Sequence, residues 1–176
     1  MDMVLVLEDG AVFRGVSFGA AGEVCGWVHD DHRVVGYQEI LTDPDNAGCL
    51  INMTYPLIGN YGVNNEDAES STVQAGALII KEKSGIVSNW RATDTLENMM
   101  QKGHVVGMEK VDTRSLSLYI RDHGEMSGIV GPAATPVPQG AIPVYSGRTE
   151  SLVGPIVARF TEVTGIYAAP AHTAVH

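Results

Sequence analysis

Met3-Val4-Leu5-Val6-Leu7-Glu8-Asp9-Gly10-Ala11-Val12-Phe13-Arg14-Gly15-Val16-Ser17-Phe18 is the stretch on which the fold turns. Val4 to Leu7 is a short apolar run, and Ala11 to Phe18 carries Val12, Phe13, Val16 and Phe18. Between them Asp9-Gly10 suits a two-residue type I′ turn, because both of its central positions need positive φ. The chain therefore opens as a β-hairpin. Beyond it, glycines at 15, 19 and 22 match neither the dinucleotide-binding nor the P-loop spacing, so Gly15 to Gly22 is expected to be a loop without a nucleotide.

Further strands are expected at Cys49–Tyr55, ended by Pro56, at Val73–Lys81, at His104–Met108 and at Ser127–Val130. Gly59 to Asp67 has loop composition, and its neighbours Glu66-Asp67-Ala68-Glu69 read as a solvated acidic stretch. Two helices carry punctuation. Asp94 stands three before Glu97 in capping-box spacing, Leu96, Met99 and Met100 share a face, and Gly103 is placed to follow the end. Asp112 or Thr113 can cap the second, Leu116, Tyr119 and Ile120 form its apolar stripe, and Gly124 stops it. Strands outnumber helices and some connections are too short for helical crossovers, which predicts a mixed α/β domain rather than a doubly wound sheet.

The prolines at 132, 136, 138 and 143 change the texture of the chain. The expected division is a domain over 1–131 and a Pro/Ala-rich strap with a C-terminal extension over 132–176, in which Ser151 to Thr164 regains apolar residues. A net charge of −10, with 11 basic and 21 acidic residues, argues against nucleic-acid and anionic-membrane partners, which require a cationic footprint. No apolar run approaches the ~20 residues that span a bilayer, and Met1 to Glu8 lacks a positive signal-peptide start. The expected compartment is the cytoplasm, with Cys25 and Cys49 as free thiols.

Longer strings carry a family resemblance. They are Leu5 to Gly10 with Phe13 and Gly15; Gly36-Tyr37-Gln38-Glu39-Ile40-Leu41-Thr42-Asp43-Pro44; Thr54-Tyr55-Pro56-Leu57-Ile58-Gly59-Asn60-Tyr61-Gly62-Val63-Asn64; Ser88-Asn89-Trp90-Arg91; Val111-Asp112-Thr113-Arg114; and Arg121-Asp122-His123-Gly124. From about Met3 to Val130 the chain resembles the N-terminal domain of the small subunit of carbamoyl phosphate synthetase. The resemblance implies a swivelling β/β/α domain that holds no catalytic residue, packs on the large subunit and borders the glutamine site. In that family a second domain, with a nucleophilic cysteine, a histidine and a glutamate, hydrolyses glutamine. The large subunit turns the ammonia, with bicarbonate and ATP, into carbamoyl phosphate for pyrimidine or arginine synthesis. The 176 residues are expected to stop short of that second domain. Neither Val24-Cys25-Gly26 nor Gly48-Cys49-Leu50 has the context of its nucleophile, roughly Gly-x-Cys-x-Gly.

Two further departures bear on function. Asp45 stands where the family has a serine that helps hold glutamine, and a carboxylate there would oppose the substrate's own. The stretch Cys25 to Val35 is longer than its family counterpart and contains His29-Asp30-Asp31-His32, which read either as metal ligands or as a solvated turn tip. Gln38, Glu39, Thr42 and Asp43 are many polar residues for a core element, so the Gly36 to Pro44 block is expected at an interface through Gly36, Tyr37, Gln38 and Glu39, with Thr54, Tyr55, Asn60, Asn89, Trp90 and Arg91. The expected function is a non-catalytic domain that docks on a large synthetase subunit or a related ligase, with no cofactor and no glutaminase activity of its own. The alternatives are a stand-alone paralogue used as a metal-binding enzyme, and a self-associating module closed by its own tail or a second copy in a homo-oligomer.

Overall fold

The structure, a computed structural model, describes residues 1–9, 11–32, 36–54, 73–83 and 94–133. Seven strands close a barrel: β1 (Asp2–Leu7), β2 (Val12–Gly19), β3 (Val24–Asp31), β4 (Leu50–Met53), β5 (Ala77–Ile79), β6 (Val106–Glu109) and β7 (Ser127–Pro132). Around the barrel they run β1-β2-β6-β5-β4-β3-β7. β3, β4, β5 and β6 are parallel neighbours, and β7, β1 and β2 complete the circuit antiparallel. Three α-helices among the described residues accompany them: α1 (Tyr37–Thr42), α2 (Leu96–Lys102) and α3 (Thr113–His123). The architecture is a mixed α/β domain. No helix among the described residues is long and apolar enough to cross a membrane.

Strand alternation builds two apolar layers. Met3, Leu5, Leu7, Val28, Leu50, Ala77, Ile79, Val106, Met108 and Val130 point into the barrel and meet Leu116 and Ile120 of α3 at one end. The opposite faces of β4 and β5, with Ile51, Met53 and Leu78, pack outward on Tyr37, Ile40 and Leu41 of α1 and Leu96 and Met100 of α2.

The opening hairpin forms in a different register from the one its turn residues suggest. Leu5 faces Phe13, Val6 faces Val12, and the Leu7 N–H donates to Ala11 O at 2.8 Å, so Glu8, Asp9 and Gly10 together make the connection. A two-residue Asp9-Gly10 turn would pair Leu5 with Arg14 and aim a guanidinium at the barrel interior. A one-residue slip inverts every side chain, and burial decides the register. Gly15 to Gly19, expected in a loop, belongs to β2. Glycine serves close approach there: a Cβ on Gly15 would lie 2.3 Å from Glu109 O of the neighbouring β6.

The cap of α2 is Thr95, not Asp94: Thr95 Oγ1 accepts from the Asn98 N–H at 3.1 Å. Asp94 braces the same turn from outside, accepting from the Thr95 N–H, Asn98 Nδ2 and Lys102 Nζ. At the other end Gly103 keeps φ −88°, and the left-handed residue is His104 at φ 57°. α3 is capped as its sequence predicts, with Asp112 Oδ1 accepting from the Ser115 N–H at 3.0 Å, and ends at Gly124 with φ 89°.

Candidate functional site

The segment that follows β3 carries the resemblance most densely, and its local structure explains its polar content. α1 is only six residues long, so its last carbonyls need partners outside the helix. Each finds one. Thr42 Oγ1 donates to Gln38 O at 2.8 Å and to Glu39 O at 3.3 Å, Asn46 Nδ2 donates to Ile40 O at 2.9 Å, and Leu41 O accepts from the Gln74 and Ala75 N–H groups at 2.7 and 3.1 Å. The side chains of Tyr37, Gln38, Thr42 and Asn46 are buried and Glu39 is half-buried. Much of the polarity expected to mark an interface is thus turned inward.

The exposed product of this bracing is the tip at Pro44, Asp45 and Ala47. Asp43 begins a single 3-10 turn over Pro44–Asn46, its Oδ1 accepting from the Asp45 N–H at 2.9 Å. The Gly48 N–H donates to Gln74 O at 2.9 Å, which fixes the tip beside the amino ends of β4 and β5. Gly26 lies under the same corner, where an added Cβ would stand 2.1 Å from Gly48 O.

The other predicted contact residues lie elsewhere or outside the described residues. Gly36, at φ 92°, precedes α1, and Thr54 follows β4. Both flank the carboxyl ends of the parallel strands, opposite the Asp45 tip. Tyr55, Asn60, Asn89, Trp90 and Arg91 fall outside the described residues, as do 134–176.

His29, Asp30, Asp31 and His32 do not form a turn tip. The first three are the end of β3, where alternation sends neighbours to opposite faces. His29 is exposed on the outer face. Asp30 turns toward α3, accepting from Asn52 Nδ2 at 2.8 Å and from Ser117 Oγ at 3.1 Å. Asp31 is buried, and its carbonyl accepts from the Thr54 N–H at 3.2 Å. His32 Nδ1 lies 2.7 Å from Thr54 Oγ1. Among the described residues no three His, Cys, Asp or Glu side chains converge to hold a metal ion.

Sequence reasoning missed the polar seam that seats α3. Asn52 is fully buried, and its Nδ2 donates to Asp30 Oδ1 and, at 3.1 Å, to Thr113 O. The signal was present as an asparagine inside Leu50-Ile51-Asn52-Met53, since a polar group in an apolar strand needs a partner. Neither thiol is set up as a nucleophile. Burial pushes Cys25 up to about 11 and raises Cys49, which Glu125 raises further.

Comparison with known proteins assigns the domain. The family described as carbamoyl-phosphate synthase small chain, CPSase domain, matches residues 5–130, which reach from β1 into β7. The carbamoyl phosphate synthase small chain of Syntrophotalea carbinolica is 48% identical over 130 residues, covering 74% of this chain and 35% of that protein. That of Akkermansia muciniphila is 45% identical over 136 residues, 77% of this chain and 37% of that one. The pyrimidine-specific small chain of Halalkalibacterium halodurans is 42% identical over 139 residues, 79% and 38% respectively. The chain thus spans little more than a third of the length of these relatives. With the match running through every strand of the barrel and both ends of the Asp45 corner, the chain belongs to the carbamoyl-phosphate synthase small chain family, in the part of it called the CPSase domain.

Proposed function

We propose that this chain is a non-catalytic docking domain that binds the large subunit of a carbamoyl phosphate synthetase or a closely related ligase. The observation that carries it is the family match over 5–130, joined to the Asp45 corner. A helix with its Gln38, Glu39, Ile40 and Leu41 carbonyls engaged from outside holds an exposed turn rigidly against the barrel. Such a turn loses little freedom on association, which favours binding. The domain is the swivelling β/β/α type that the resemblance implies, with residues 1–131 as the docking unit and 132–176 as strap and extension.

The role is structural rather than chemical. The domain positions the ligase and, in the full-length relatives, borders the glutamine site. Asp45 sets this chain apart there. In place of the family's serine it puts an exposed carboxylate where glutamine's own carboxylate would come. The chain accordingly supports a ligase that draws on free ammonia.

Binding of the purified chain to the large subunit tests this, measured by calorimetry at low and moderate salt. Saturable one-to-one binding that weakens in Asp45→Lys or in Pro44→Gly/Ala47→Asp, both away from the core, is the expected result. Binding unaffected by either variant would move the interface off this corner. No binding at any salt would remove the docking role.

A further inference from the structure

One sheet face of the barrel is apolar, buried and unaccounted for by either apolar layer. Val12, Val6, Ile129 and Cys25 are directly opposed in a row across β2, β1, β7 and β3. All four project outward, since their strand neighbours Phe13, Leu5, Leu7, Val130 and Val24 belong to or pack on the barrel interior. Val4 lies one step along the same face. Val4, Val6, Cys25 and Ile129 are only 1%, 0%, 2% and 2% exposed, yet none joins a core cluster of the described residues. α1 and α2 pack on β4 and β5, and α3 closes a barrel end. Arg14 and the 38%-exposed Trp27 mark the rim.

We propose that residues 151–164 of this chain dock on this outer face of β1, β7 and β3. The path of the chain carries the assignment. β7 lies between β1 and β3, in the middle of the face, and it is the last described strand. The Ala133 N–H donates to Asp2 O at 2.9 Å, so the chain leaves the barrel at the face's own edge, beside Val4 and Gly131. Residues 134–151 follow, and at about 3.3 Å each they reach anywhere on a domain of this size.

The segment has the matching chemistry. Pro155 suits the first position of a helix, and after it Ile156, Val157, Phe160 and Val163 recur at the spacing of one helical stripe, with Leu152 and Val153 just before. The face also holds two buried oxygens without a hydrogen-bond partner among the described residues, Glu8 Oε2 and Ser127 Oγ, at the end of the row beside Trp27. The segment brings donors in Ser151, Arg159, Thr161 and Thr164.

Cys25 is a built-in reporter. In the Cys49→Ser background at fixed pH, its alkylation rate is measured in the full chain and in the double variant Ile156→Asp/Phe160→Asp, with circular dichroism as the check on folding. The proposal expects labelling to be about tenfold faster or more in the variant, as for a buried thiol that becomes accessible. An unchanged rate overturns it, as does protection in the parent chain that disappears on dilution, which would assign the face to a second copy. Because the double variant can fail to fold, a second measurement uses the unaltered segment. A specific protease site is inserted after Gly140 and cut in the folded protein. Co-elution of the 141–176 piece with the barrel, with Cys25 still protected, supports docking, and release of the piece with exposure of Cys25 overturns it.

Discussion

Asn52 Nδ2 donates to Asp30 Oδ1 at 2.8 Å, tying the carboxyl ends of the parallel strands β4 and β3, and the same amide reaches Thr113 O at the start of α3 at 3.1 Å. One fully buried amide therefore closes the barrel and seats the helix that plugs it. Asn52→Leu leaves Thr113 O without this donor and removes one of the two donors to Asp30. Asp30 keeps Ser117, and the unpartnered Oδ1 of Asn52 goes with the side chain, so urea unfolding is expected to show a loss of about 1–3 kcal/mol, the net worth of the two hydrogen bonds. Asn52→Asp is expected to be worse, because it sets a second carboxylate against Asp30. A variant as stable as the parent would mean that the seam does not hold the helix.

Asp94 makes a pH-dependent contribution. Hydrogen bonds from Lys102, Asn98 and the Thr95 N–H hold its carboxyl down at about 2, below the ordinary 3.8. A depressed folded-state value means the contribution is complete above about pH 4 and is lost as the pH falls toward 2. Asp94→Asn is expected to be slightly less stable than the parent at neutral pH, by about half a kcal/mol or less at this surface site. Unfolding curves for the two proteins should converge near pH 2, and a constant gap from pH 6 to pH 2 would count against the assignment.

Tyr119 joins α3 to the opening hairpin. Its hydroxyl donates to Asp9 Oδ2, its ring meets Phe13 edge-on at 6.1 Å, and it stacks on His123 at 3.9 Å. Burial and the Asp9 carboxylate push its hydroxyl up to about 12. Tyr119→Phe keeps the rings and removes the hydrogen bond, with an expected loss of about 1 kcal/mol at this half-exposed site. A raised folded-state value places the tyrosine's stabilising effect below pH 10, and it is lost as the pH rises toward 12. The variant should lack this part of the alkaline decline in stability.

Local signals in the sequence carried some elements and not others. α3 was legible from end to end, because Asp112, the Leu116–Ile120 stripe and Gly124 all act within the helix itself. The hairpin was legible, but its register was not, since Leu5 facing Phe13 is decided by the barrel interior rather than by Asp9-Gly10. Closure of the barrel rests on β1 pairing with β7, partners from opposite ends of the domain, which no local pattern encodes. In the site, polarity misled twice. Thr42 and Asn46 answer the carbonyls of a short helix, and Asp30 answers Asn52 and Ser117. The family strings, by contrast, located the domain at nearly the boundaries at which the family matches, 5–130.

The central claim is that this domain docks on a synthetase large subunit, and co-elution tests it most directly. The chain is expressed with the large subunit of the same organism and run on size exclusion with light scattering, at low and at moderate salt. The account predicts a single peak with the mass of a one-to-one complex at both salts. Two peaks, each with the mass of a separate protein under both conditions, would contradict it.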